Sequence, residues 1–259
     1  MDNKIVIYMK DLLNEITPLA ARLQNTHKPV VLYGMGNGAD KILQWLEIIG
    51  VPVAGVFASD GFVRAHTYRG FEVMRYAEAK QAFGDMVVLL AFGTGRPDVI
   101  ENIRRIGSEQ ELYVPDAEVC GHRVFGLETY ASMREGLEET YRMMEDAESR
   151  DAFCNLLRFK LSGKLKYLGQ CKRYSQMEMF AEMELSETEV YADAGAYDGD
   201  SVKSFVDVAG TYKKIYAFEP DGRNFRKLER NTVGMHDVEC IQAAVHHMVG
   251  EVAFDAAAG

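Results

Sequence analysis

Twice along these 259 residues a short apolar strand runs into a glycine turn, a helix and a second strand, and a chain so punctuated folds into parallel βαβ units. The first unit sets Val30, Val31, Leu32 and Tyr33 ahead of Gly34, Gly36 and Gly38, then a helix to about Ile49 and a strand over 53–57. A further buried strand over 86–92 leads into Gly93, Thr94 and Gly95 and a helix bearing Val99, Ile100, Ile103 and Ile106. The second unit sets Val190, Tyr191 and Ala192 ahead of Gly195 and Gly199, then a helix to about Val208 and a strand over 214–218. The expected fold class is α/β, with two Rossmann-like domains over 1–126 and 187–259. Between them, 127–186 lacks proline as far as Lys172 and spaces Met133, Leu137, Tyr141, Met144, Phe153 and Leu156 as helices do, so it is read as a helical connector. Before the first strand, Leu12, Leu13, Ile16, Leu19 and Leu23 predict one more amphipathic helix, and Ser186 reads as an N-cap.

Charge narrows the partners. The net charge of −10, with no long basic block, repels a polyphosphate backbone, so nucleic acid is not an expected partner. No apolar run approaches the ~18–20 residues of a membrane span, and residues 1–8 lack the basic and apolar regions of a secretion signal. A cytoplasmic protein is expected. Cys120, Cys154, Cys171 and Cys240 are scattered without C-x-x-C spacing, so they read as reduced thiols, and no metal site is expected.

The second glycine turn is the acidic one. Asp193, Asp198 and Asp200 crowd the stretch that also holds Gly195, Ala196, Tyr197, Gly199 and Ser201. The pyrophosphate of a dinucleotide would meet like charge there, at the place where a helix N-terminus normally receives it. S-adenosylmethionine has no phosphate and carries a sulfonium and an ammonium, which suit an acidic turn. The next strand runs into Glu219, Pro220 and Asp221, and Glu219 lies twenty residues after Gly199, where a carboxylate can accept from both hydroxyls of a ribose.

These residues, together with Gly222, Arg223, Asn224, Phe225, Leu228 and Asn231, resemble the FkbM-type methyltransferase family. The resemblance runs from about Glu187 to Gly259, and in it Ala243, Ala244 and Val245, then 250–254, correspond to the family's next two strands. It implies transfer of the methyl group of S-adenosylmethionine to an oxygen, commonly on a sugar or glycan-like small molecule. It further implies that Asp193, Gly195 and Gly199 shape the methionine end of the site, Glu219 holds the ribose, and Ala243 or Ala244 lies near the adenine. The family's sheet has about seven strands, so the second domain is expected to be an incomplete class I methyltransferase fold with the acceptor loops, and any catalytic base, beyond Gly259. An incomplete sheet leaves an open edge, which favours pairing with another chain, as in a homo-oligomer.

The first glycine turn reads G-x-G-x-x-A over 34–39 and includes Gly34, Gly36, Asn37 and Gly38. Asp60 follows the second strand, where a ribose-binding acid would be, and Gly93 and Arg96 would reach the same sheet edge if the sheet is parallel. The segment resembles the Rossmann-like domains ahead of sugar-modifying enzymes, which implies a nucleotide-sugar site; a purely structural domain is the alternative. Two other functions stay open. An NAD(P)-dependent oxidoreductase lacks a hydride-transfer partner here, whereas a non-catalytic protein binding S-adenosylmethionine or a nucleotide sugar would fit a shortened sheet. His246 and His247 follow a predicted strand, so their side chains are expected on opposite faces and without catalytic duty.

Overall fold

The computed structural model describes residues 12–59, 67–118, 121 and 123–251, and its contacts divide the chain into two units, Met1–Lys172 and Arg173–Gly259. Both are α/β with mainly parallel sheets.

In the first unit, β1 (Val30–Tyr33) and β5 (Val87–Leu90) are buried along their whole length, as a continuous apolar run must be when helices cover both faces of a sheet. Around them lie β2 (Val53–Ala58), β3 (Thr67–Tyr68), β4 (Phe71–Arg75) and β6 (Glu111–Tyr113), in the order β3-β4-β2-β1-β5-β6. Every pairing is parallel except β3 with β4. Side chains alternate across the sheet. Leu32, Val56 and Leu89 face α1 (Leu19–Gln24) and α2 (Asn37–Ile48), while Val31, Tyr33, Phe57 and Val88 face α3 (Tyr76–Phe83) and α4 (Pro97–Glu109).

The β3–β4 hairpin escaped the periodicity because β3 has only two residues and β4 carries no uninterrupted apolar run. Its loop is Arg69-Gly70, both at positive φ (50° and 85°), the backbone that a two-residue hairpin turn demands. Arg69 donates to Asp40 through Nε at 2.8 Å and Nη2 at 3.0 Å, and Tyr68 also donates to that carboxylate. The guanidinium holds the Asp40 carboxyl below its ordinary range against the opposing effect of burial, and burial together with Asp40 pushes the Tyr68 hydroxyl up to about 12. The acid of the first glycine turn is thus committed to a structural tie.

Gly38 has a packing role. A Cβ there would sit 2.3 Å from the carbonyl oxygen of Ala91, a backbone atom that cannot swing aside. Gly38→Ala is expected to push α2 off the sheet and cost about 1–3 kcal/mol by overpacking, although alanine is the better helix former. A melting curve in which Gly38→Ala matched or exceeded the parent would contradict that close approach.

The rest of the first unit is helical. Asp146 caps α6 (Ala147–Ser162) by accepting from Ser149 N at 2.6 Å, and Gly163 ends it in the left-handed conformation. Together with α5 (Leu127–Met143), α6 encloses Leu12, Ile16, Tyr130, Cys154, Leu157 and Leu161. Burial pushes the Cys154 thiol up to about 11, so it is an inert core residue. The segment read as one connector therefore divides: 127–172 packs in the first unit, whereas α7 (Gln176–Ala181) lies in the second, where Phe180 meets Tyr191 and Phe205 edge-on. The N-cap there is Ser175, in a reciprocal capping box with Glu178; Ser186 instead sits in the turn before the next strand, its hydroxyl 3.0 Å from Glu189 Oε1.

The second unit is a three-stranded parallel sheet, β7 (Val190–Ala194), β8 (Lys214–Phe218) and β9 (Val238–Ile241), in that order. Phe205 of α8 (Asp200–Ala209) stacks on Tyr191 at 4.5 Å, and Leu228 of α9 (Gly222–Asn231) is fully buried beside Ile215 and Ala217. The third strand precedes the place where it was expected. The Ala243 N–H bonds back to Ile241 O at 2.9 Å, so the chain turns off the ladder before Ala243, Ala244 and Val245. The strand expected around 250–254 lies largely outside the described residues.

Candidate functional site

Parallel strands deliver their C-terminal ends to one edge, and in the second unit that edge carries the acidic turn. After β7 the chain folds over the end of β8: the N–H groups of Gly195 and Ala196 both donate to Phe218 O at 2.8 Å. Gly195 and Gly199 adopt φ of 93° and 90°, and Tyr197 between them is left-handed at 50° without being glycine. A Cβ on Gly195 would meet no atom within 4 Å, so open space adjoins the backbone there. Gly199 caps α8 without any side-chain hydrogen bond of its own, and of the helix's first N–H groups that of Ser201 donates to Asp200 Oδ1 at 2.9 Å.

Glu219 holds the two turns together. Its Oε2 accepts from Tyr197 N at 2.9 Å and its Oε1 from Asp221 N at 2.8 Å, and the side chain is buried. Asp221 in turn caps α9, its Oδ1 accepting from Arg223 N at 3.0 Å and Asn224 N at 2.9 Å. Asn231, one helix away, donates to Asp198 O at 2.7 Å. The latch and the cap were invisible in the sequence, which offers only the carboxylates' spacing along the chain and not their backbone partners.

Asp193 is the exception in this network. It is 9% exposed, and its Oδ2 is buried without a hydrogen-bond partner. Burial pushes its carboxyl above the ordinary range; hydrogen bonding by Ser201 pulls it back and the charge of Asp200 pushes it further up. A buried acceptor left unsatisfied costs about 1–3 kcal/mol, more when charged, so it marks a place where a donor from elsewhere completes the structure.

Of the other second-unit residues, Ala196 is buried, Tyr197 and Ala243 are exposed, Pro220 and Ser201 are partly buried, and Lys227 lies over the Tyr197 ring at 5.1 Å. His246 and His247 fall in irregular chain past β9, so strand alternation does not apply and their rings lie 4.2 Å apart.

In the first unit, β1 is flanked by β2 on one side and β5 on the other, the reversal point at which α/β sheets open a crevice. A cavity of about 280 Å³ occupies it, bordered by Gly34, Gly93 and Arg96 among the residues expected there. Gly36 and Asn37 begin α2 outside the cavity lining, Gly38 packs on Ala91, and Asp60 lies outside the described residues. Tyr33 OH, Ser59 and Asn102, joined by hydrogen bonds at this cavity, were missed; a tyrosine closing an otherwise apolar buried strand was the available signal, since a buried phenol needs a partner. Among the described residues, no group of three or more His, Cys, Asp or Glu is placed to hold a metal, and no helix is long and apolar enough to cross a membrane.

No protein-family model and no curated protein matches the chain. Among solved structures it is similar to the methyltransferase FkbM from Methylobacillus flagellatus KT, with a TM-score of 0.61 and 14% identity over 94% of this chain and 72% of that one. The likeness is one of fold: this chain has the α/β architecture, with a mainly parallel Rossmann-like sheet, of that methyltransferase structure.

Proposed function

We propose that the second unit binds S-adenosylmethionine and that the protein is a methyltransferase acting on an oxygen of a sugar or glycan-like small molecule. The unpartnered, buried Oδ2 of Asp193 is the observation that carries this reading. The residues fit the cofactor. Asp193 offers an acceptor to an ammonium, and Asp198 and Asp200 add negative charge that welcomes a cation and repels a pyrophosphate. Each Glu219 oxygen already accepts one backbone N–H and retains a second lone-pair direction for a ribose hydroxyl. Gly195 leaves its turn open for backbone approach.

When bound, S-adenosylmethionine supplies a methyl carbon on a positively charged sulfur, a good leaving group for in-line displacement. The work left to the protein is alignment and exclusion of water, which the two latched turns serve by holding their backbone in one geometry. Oxygen as the acceptor atom and a sugar-like acceptor rest on the resemblance of the motif over 190–225. The cytoplasmic location rests on the scattered spacing of the four cysteines in the sequence.

Titration of the chain with S-adenosylhomocysteine in the presence and absence of NADH tests the cofactor assignment. Saturable binding that NADH does not displace is expected. No binding, or displacement by NADH, overturns it. Transfer of label from methyl-labelled S-adenosylmethionine to a panel of sugars then tests the acceptor class.

A further inference from the structure

A further cavity of the first unit, about 560 Å³, opens between α5 and α6 and shares no residue with either glycine turn. Two helix faces wall it. Thr129, Met133 and Leu137 recur every fourth residue along α5, and Phe153, Leu157 and Lys160 follow at four and three along α6. The third wall is 116–118 with 123 and 125, two stretches tied together by Phe125 N donating to Asp116 O at 2.8 Å and Glu118 N to Arg123 O at 2.9 Å. Lys41 of α2 fastens the same wall, donating to Glu118 O at 2.6 Å. The space is thus formed before any ligand arrives, as small-molecule sites usually are.

The charges on these walls are already matched. Lys160 Nζ lies 2.5 Å from Asp116 Oδ2 and 5.3 Å from the centre of the Phe125 ring, and Arg123 Nη2 lies 2.9 Å from Glu118 Oε1. An ionic ligand would have to displace one of those partners, or lose its hydration with nothing in return. Thr129 Oγ1 differs from the other polar groups: it lines the cavity and forms no hydrogen bond among the described residues. The Ser132 hydroxyl on the rim has its proton committed to Thr129 O at 2.8 Å. Beyond these, the interior offers Phe125, Leu137, Phe153 and Leu157, with Met133 and Leu156 exposed at the mouth. Water against such walls finds one unpaired group, where a well-held water uses two to four, so an apolar occupant displaces it with little loss.

We propose that this cavity binds an uncharged, mainly apolar small molecule carrying a hydroxyl or carbonyl, with that group at Thr129 Oγ1 and the apolar body between the faces of α5 and α6. The site is independent of the cofactor reading of the second unit.

Calorimetric titration of the whole chain at pH 7.5 with decanol, decanoate and decylammonium, each below its aggregation limit, tests it, because the three probes share one chain length and differ in the charge of the head. Decanol is expected to bind saturably and about tenfold or more tightly than either ion. Thr129→Val keeps the shape of the side chain, removes its hydroxyl and is expected to weaken decanol about threefold or more. Ser132→Trp, a change at an exposed position on the rim, occupies the space itself and is expected to weaken decanol about tenfold or more. Asp116→Asn leaves Lys160 without its counter-charge and is expected to raise the affinity for decanoate about tenfold. Four results overturn the proposal: no saturable binding of decanol, either ion binding as tightly as decanol, parent affinity for decanol in both Thr129→Val and Ser132→Trp, or decanoate affinity unchanged in Asp116→Asn.

Discussion

Asp193→Asn is expected to weaken S-adenosylhomocysteine binding by about 30-fold or more and, in the same protein, to raise the melting temperature of the ligand-free chain. The two effects share one cause. A buried carboxylate with an unpartnered oxygen costs the free protein its desolvation, and a ligand ammonium recovers that cost on binding. Truncating one partner of a buried charge pair removes at least ~2 kcal/mol of binding. The amide carries no charge, so the free protein gains about 1–2 kcal/mol, or ~2–8 °C in a chain of this size. The pH dependence follows from the direction of the shift. Asp193 titrates above its ordinary 3.8 when folded, so the penalty is absent below that pH, grows as the pH rises from there to the raised value and is complete above it. The advantage of Asp193→Asn is therefore expected at pH 7.5 and not near pH 4, and wild-type affinity for S-adenosylhomocysteine should fall as the carboxyl protonates. Equal melting temperatures at pH 7.5 would contradict the buried, unpaired carboxylate.

Glu219→Ala is expected to cost the second unit about 3 kcal/mol and to abolish cofactor binding. Two backbone N–H groups, of Tyr197 and Asp221, lose an ionised acceptor at once, and hydrogen bonds to charged groups contribute ~1.5–3 kcal/mol each. Glutamine is not a conservative rescue here. Its single oxygen serves one N–H and its NH2 confronts the other, so Glu219→Gln should fall between the parent and the alanine variant. Because the latch ties the turn after β7 to the turn after β8, the loss is local to that edge: amide exchange should accelerate at 195–199 and 219–224, with the first unit unchanged. A Glu219→Ala protein that melted like the parent would show that the carboxylate holds nothing.

What the sequence made legible was what depends on local pattern. Buried strands such as 30–33 and 87–90 are uninterrupted apolar runs, and the glycine turns after 33 and 194 declare themselves because only glycine adopts φ near 100° without cost. The β3–β4 hairpin, the ownership of 127–172 and the early third strand were not legible. Each depends on partners distant in sequence: Arg69 on Asp40, α5 and α6 on Leu12 and Ile16, and β9 on its register with β8. The site divides the same way. The positions of Asp193, Gly195, Gly199 and Glu219 along the chain were readable, whereas Glu219's role as a latch and the hydrogen-bonded group of Tyr33, Ser59 and Asn102 exist only once the fold brings them together.

Amide hydrogen exchange with and without saturating S-adenosylhomocysteine tests the central claim most directly, because it reports where the ligand sits as well as whether it binds. Protection is predicted at 193–201 and 217–221, with 34–37 and 93–96 unaffected. Protection confined to 34–37 and 93–96, or none anywhere at saturating ligand, would contradict the account.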